Sequence, residues 1–172
     1  MYKLELPLTK ENIEELKIYD RVLLTGSILV GRDQVHSRLV ALLAAGRALP
    51  TSIAGQIIYY MAPAGTPPSM VIGSCGPTTS ARMDPFTPAL MEAGLVASIG
   101  KGPRSQAVID AVKGNKGLYF VAYGGCGALY ATKVRAKEMI AFEDLGPEAL
   151  MRLEVKDFPV IVAIDSRGTS VF

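Results

Sequence analysis

The hydrophobic positions of this chain fall into short unbroken runs separated by stretches of helical spacing, the pattern of buried strands alternating with amphipathic helices. After Thr9, a capping residue type, Ile13, Leu16 and Lys17 recur at helix-like intervals and predict a helix over residues 10–19. Arg21 to Val30 reads as a strand, broken or bent at Gly26. Asp33 opens a second helix with Val35, Leu39, Leu42 and Leu43 along one stripe, and Gly46 ends it. Ile57 to Met61 is a short buried strand, residues 62–69 are a Pro/Gly loop, and Met70 to Gly73 is a further strand. In the second half, Pro85 to Ala93 reads as a helix ending at Gly94, Leu95 to Ile99 as a strand, and Gln106 to Lys113 as a helix with Gly114 beyond it. Leu118 to Tyr123 is a strand, and Gly124-Gly125-Cys126-Gly127 leads into an Ala-rich helix through Ala131. Glu138–Phe142, Arg152–Val155 and Val160–Ile164 complete the strands, with a turn at Asp165-Ser166-Arg167-Gly168.

Strand–helix alternation over residues 95–140 implies parallel pairing with helices laid on the sheet, and the flanking strands with short turns imply antiparallel additions. The expectation is a single α/β domain with a mixed sheet spanning residues 1–172, without internal repeat or linker. A composition of 49% hydrophobic residues over 172 positions suits one such domain and excludes a disordered chain. No run approaches the roughly 18 apolar residues of a membrane span. Eighteen Lys+Arg against sixteen Asp+Glu, net +2, is too even a balance to point to nucleic acid. The start, Met1-Tyr2-Lys3-Leu4-Glu5-Leu6-Pro7, has no basic stretch leading into an apolar block, so no secretory signal is expected. Two cysteines and no such signal fit a reducing, cytoplasmic compartment.

The residue counts also limit the chemistry. With one histidine, His36, and with Cys75 and Cys126 far apart, the chain supplies no closed zinc site and no self-contained iron–sulfur site. Neither GxGxxG after a strand nor GxxxxGK[ST] occurs. Any metal or cofactor that the protein handles is therefore expected on a partner. Within the chain the densest signal is Gly73-Ser74-Cys75-Gly76-Pro77-Thr78-Thr79-Ser80-Ala81-Arg82-Met83-Asp84, between a strand and an expected helix. A hydroxyl on Thr78, a guanidinium on Arg82 four residues on, and the free amides of a first helical turn would make a carboxylate pocket, against the blander reading of a capped helix with a surface Arg. Arg32 and His36 follow the strand that ends at Val30; Arg32 could bind an anion and His36 move a proton. Lys101 sits between two glycines after another strand, and Gly124 to Gly127 is either an anion nest or close packing of small residues. Strand C-termini of an α/β sheet gather along one edge, so Arg32, Arg82 and Lys101 would share an edge suited to a small dianion.

In this order, Leu24-Thr25-Gly26…Arg32-Asp33…His36, Gly76-Pro77-Thr78-Thr79-Ser80-Ala81-Arg82-Met83, Gly100-Lys101-Gly102, Gly124-Gly125-Cys126-Gly127-Ala128 and Glu143-Asp144-Leu145-Gly146 closely resemble the β subunit, or C-terminal domain, of class I fumarate hydratases. The L(+)-tartrate dehydratase β subunit is similar. The resemblance spans nearly the whole chain. It implies a swivelling β/β/α domain and a partner α subunit whose three cysteines hold a [4Fe-4S] cluster, with Cys75 and Cys126 not among the ligands. It places the catalytic threonine on Thr78, the substrate-clamping cations on Arg32, Arg82 and Lys101, and an active-site histidine of the tartrate relatives on His36. The family's frequent Leu-Gly-Met-Glu is Leu145-Gly146-Pro147-Glu148 here, a proline that suits a first helical turn.

The reaction so implied is the reversible hydration of fumarate to malate by a hetero-oligomeric hydro-lyase of the tricarboxylic acid cycle. Tartrate or another hydroxy-dicarboxylate is the alternative substrate. A non-catalytic small-dianion-binding module is the alternative of another class.

Overall fold

Five strands run parallel: β1 (Tyr2–Glu5), β2 (Arg21–Val30), β3 (Ile57–Tyr59), β4 (Ala97–Gly100) and β5 (Leu118–Val121). Two more, β6 (Val134–Ala141) and β7 (Leu150–Ile164), are antiparallel to their neighbours and complete a seven-stranded mixed sheet in the order β1-β2-β3-β4-β5-β7-β6. The computed structural model describes residues 1–172. No helix is long and apolar enough to cross a membrane.

The 15-residue β7 closes this sheet on itself. One edge of β7 pairs with β2 from Met151 to Ile161; the other pairs with β6 up to Val155 and with β5 from Ile161. Since β2, β3, β4 and β5 are joined in sequence, the ring β2–β3–β4–β5–β7 returns to β2, a small barrel. Closure leaves no free edge among these five strands.

Strands β2 to β5 are largely apolar because both of their faces are covered over most of their length. Successive side chains go to opposite faces. Leu24, Ile28, Val30, Ile57, Tyr59, Ala97, Ile99, Leu118 and Phe120 join the 26-residue core inside the ring. The alternate residues Leu29 and Ile58 pack with Val35 and Leu39 of helix α2 (Asp33–Ala44) and Leu90 of helix α3 (Thr87–Glu92). Tyr119 packs with Val108 and Val112 of helix α4 (Gln106–Gly114).

Several boundaries differ from the sequence expectation. The first helix spans only Lys10–Glu15, because Leu16 leaves the helical region at ψ 139°. The strands expected at 152–155 and 160–164 are one strand: Lys156 and Asp157 form a bulge opposite Thr25, with Asp157 at φ 50° and its N–H donated to Thr25 Oγ1 at 3.1 Å. Pro159 falls where β6 has stopped pairing and β5 has not begun, so its missing N–H costs no bond on that edge. Met70 to Gly73 is not a strand. It lies in the long connection between β3 and β4, where Ile72 and Cys75 join the barrel core while Met70 and Val71 stay exposed. The helix expected after Pro77 is a four-residue 3-10 turn, Ser80–Met83, and α3 starts only at Thr87.

Candidate functional site

Because β2 to β5 are parallel, their C-terminal ends lie at one mouth of the barrel, and the segments bearing Arg32, Thr78, Arg82 and Lys101 meet there. Backbone bonds tie the segments together. Thr78 N–H donates to the Tyr60 carbonyl just past β3 (2.9 Å). Thr79 bridges Lys101 in parallel, and Ser80 N–H donates to the Lys101 carbonyl (3.0 Å). Lys101 N–H returns a bond to Ser80 Oγ (3.0 Å). Gly100 is required at this crossing: a Cβ there would run into Ser80 Oγ and the Tyr60 ring. Arg82 reaches the β2 segment through Asp33 (3.0 Å).

The charge arrangement is uneven. Arg32 pairs with Glu148, from the 3-10 turn Glu143–Glu148 between β6 and β7, at 3.0 Å. Arg82, half-exposed, pairs with Asp33. Lys101 is exposed and makes no ion pair. The Arg82–Asp33 pair, the more open of the two to water, contributes about 0–1 kcal/mol, so an arriving carboxylate can share or displace Asp33 at small cost. Thr78 is half-buried and spends its hydroxyl proton on the Tyr60 carbonyl (2.9 Å), which leaves the oxygen's lone pairs free to accept. The local positive potential expected from a helix N-terminus is missing, because only a 3-10 turn follows Thr78. The nearby positive charge resides in side chains.

His36 is fully buried, with its ring edge-on to Tyr60 at 5.2 Å. Its Nδ1 lies 2.6 Å from the Arg32 carbonyl, so Nδ1 carries the proton and donates. Nε2 is left buried without a partner. Burial lowers its pKa to about 4, and the imidazole is neutral near pH 7. Because the folded value lies below the ordinary 6.5, this contribution is complete above pH 6.5 and is lost as pH falls toward 4. The loss is on the order of 3 kcal/mol. Urea unfolding at pH 7 and pH 4.5 should therefore show a steeper loss for the wild type than for His36→Gln. Equal losses would mean that His36 is not the group responsible.

Gly124 to Gly127 resolves into two parts. A Cβ at Gly127 would strike the backbone of Cys75 and Gly76, and Cys75 N–H donates to the Gly127 carbonyl (3.1 Å), so Gly127 serves close packing. Gly124 and Gly125 stay open at the mouth, with the Lys101 stem 4.0 Å from where a Gly124 Cβ would lie. The larger surface grooves lie elsewhere. One of about 310 Å³ runs between residues 63–66 and Met139, and one of about 290 Å³ lies between α2 and Phe142. The four candidate residues thus form an open cationic rim and not an enclosed cavity.

A model of the fumarase C-terminus family matches residues 2–172. The chain belongs to the fumarase C-terminus family. This fumarase C-terminus chain is 40% identical over 168 residues to the anaerobic class I fumarate hydratase of Escherichia coli K12, covering 95% of itself and 31% of that protein. It is 35% identical over 169 residues to the mitochondrial fumarate hydratase 1 of Leishmania major, covering 97% and 31%. A protein of Methanocaldococcus jannaschii named for the β subunit of L(+)-tartrate dehydratase is 36% identical over 171 residues, with 96% and 88% covered. The chain therefore spans about a third of the fumarate hydratases and most of the β-subunit relative.

The [4Fe-4S] cluster that the sequence resemblance implies does not fit the donors of this fumarase C-terminus chain. No group of three or more His, Cys, Asp or Glu could hold a metal ion. Cys75 is buried in the barrel core, and burial pushes its thiol up to about 11, so it stays protonated. Sequence reasoning missed Arg104, whose guanidinium is fully buried below the rim. It donates to Asp84 (2.6 Å), Thr87 Oγ1 (2.8 Å), Ser98 Oγ (3.1 Å) and the Tyr60 hydroxyl (3.3 Å). Its only sequence signal is a charge just after Gly102-Pro103, which reads as a surface residue until Asp84 is placed beside it.

Proposed function

We propose that this chain is the β subunit of a two-subunit hydro-lyase that reversibly adds water across the double bond of fumarate to give malate. The observation that carries the reading is the open rim of Arg32, Arg82 and Lys101 around Thr78, which has no cavity of its own and would suit half of a dicarboxylate site. The α subunit would supply the other half together with the [4Fe-4S] cluster, for which this chain has no donors. The length match to a relative named as a β subunit supports the division into subunits.

The roles assigned to this chain use its own side chains. Arg32, Arg82 and Lys101 hold the two carboxylates and stabilise the extra negative charge that builds on one of them when the C3 proton leaves. Thr78 moves that proton, aided by the cations beside it. A free hydroxyl is a very weak base, so this step depends on the positive rim and on what the α subunit adds. His36 orients: its bond to the Arg32 carbonyl pins the turn from which Arg32 projects, and its buried, neutral ring has no exposed face for substrate.

Tartrate is the second reading, favoured by the 88% coverage of the tartrate-named relative. Anaerobic co-expression with a cluster-bearing α subunit tests both. The chain alone should be folded, colourless and inactive, and the complex should be active and oxygen-sensitive. Assays on fumarate, malate and the tartrates then rank the substrates. A brown, active preparation of this chain by itself would overturn the proposal, and a kcat/KM highest on L(+)-tartrate would replace the first reading by the second.

A further inference from the structure

Beneath the rim, a polar network joins the segment bearing Lys101 to the segment bearing Thr78 and Arg82. Arg104, three residues after Lys101, donates its Nε–H to Asp84, two residues after Arg82, and the other carboxylate oxygen of Asp84 accepts Ser105 N–H at 2.7 Å. The guanidinium lies over the rings of Tyr60 and Tyr119, 5.3 and 4.8 Å from their centroids. The proton order in the rest of the network is fixed by its donors. Lys101 N–H donates to Ser80 Oγ, the Ser80 hydroxyl donates to Tyr119 Oη (2.8 Å), and Tyr119 donates to the Gly102 carbonyl (2.9 Å). Three links, Lys101–Ser80, Arg104–Asp84 and Ser105–Asp84, run directly between residues 80–84 and residues 101–105, and Tyr119 bridges Ser80 to Gly102.

We propose that Arg104 is a positioning residue: with Asp84 it sets the spacing between Lys101 and the Thr78–Arg82 segment, and so the length of dicarboxylate the rim accepts. The assignment rests on the hydro-lyase reading above. A buried ion pair adds little net stability over apolar residues of the same volume, so its contribution here is a single geometry. Arg104 donates to four oxygens and stacks against two rings, which leaves that geometry little slack. Misplacing a clamping group by about 1 Å can cost roughly 10²-fold in rate.

The test uses the complex with its α subunit. KM for fumarate is measured beside competitive inhibition by succinate and glutarate, which differ by one methylene. These constants and their ratio do not depend on the fraction of active enzyme. The wild type should prefer succinate. Arg104→Lys and Asp84→Asn should raise KM about tenfold or more and bring the succinate-to-glutarate ratio toward one. Tyr119→Phe removes a single hydroxyl and strands no charge, so it keeps the fold and should narrow the ratio about threefold. If the other two variants fail to fold, Ser98→Ala, which removes one acceptor of the Arg104 guanidinium and strands no charge, decides the matter: a ratio unchanged in it would overturn the assignment. Unchanged KM and ratio, with only melting temperature or active fraction lowered, would make Arg104 purely structural. An active wild type with no preference between the inhibitors would overturn this assignment alone. A complex inactive on every dicarboxylate would overturn the hydro-lyase reading and the assignment together.

Discussion

Arg82→Lys, in the proposed complex with an α subunit, is expected to lower kcat/KM for the proposed dicarboxylate substrate by about 10²-fold or more. A lysine keeps the charge and can still meet Asp33, so the fold should change by less than about 0.5 kcal/mol. What it loses is the planar fork that grips a carboxylate with two parallel bonds. The position of Arg82 suits the proposed task. It follows Thr78 by one short turn, is half-exposed at the mouth, and spends a bond on Asp33 through Nη2 only. Steady-state kinetics on purified complex read the effect, with unfolding curves run alongside. Near wild-type kcat/KM would return Arg82 to the status of a surface residue paired with Asp33.

The parts of this molecule that could be read from the sequence are those decided by local pattern. Strands β2 to β5 were recognisable because burial on both faces makes them largely apolar, with β2 interrupted only at Thr25-Gly26-Ser27 and β4 at Ser98, and the stripe Val35–Leu39 marked α2 by its period. The gathering of Arg32, Arg82 and Lys101 followed from parallel pairing, which strand–helix alternation implied. Features decided by tertiary partners were not readable. Closure of the ring depends on β7 running unbroken through Lys156-Asp157, and a bulge there looks like a turn until Thr25 is opposite it. Met70-Val71-Ile72 has strand composition, but only Ile72 finds a core, and the run serves to seal the barrel and not to pair. Arg104 and Asp84 lie twenty residues apart, and nothing in either neighbourhood predicts that the two meet in the interior.

Thr78→Ala should remove most turnover, about 10²–10⁴-fold, while Thr79→Ala should leave both rate and stability nearly unchanged. Neighbouring threonines invite confusion, since both types cap helices, and loss of a cap would cost on the order of 1 kcal/mol with little effect on rate. The structure takes that role from Thr79, which precedes the 3-10 turn without a side-chain capping bond and is exposed. Thr78 has one bond to lose, from Oγ1 to the Tyr60 carbonyl, so its alanine variant should also be destabilised by about 1 kcal/mol. That cost is too small to mimic the kinetic loss. The two effects separate when rates are taken per folded complex and exchange of the substrate's C3 proton with solvent is followed directly. Exchange should disappear in Thr78→Ala while the dicarboxylate still binds, because Arg32, Arg82 and Lys101 remain. Thr78→Ser, which restores the hydroxyl, should recover exchange. If Thr78→Ala exchanges the C3 proton at the wild-type rate, the threonine is only a tie to Tyr60. His36 is buried and neutral and lacks an exposed face, so the base would then have to come from the α subunit.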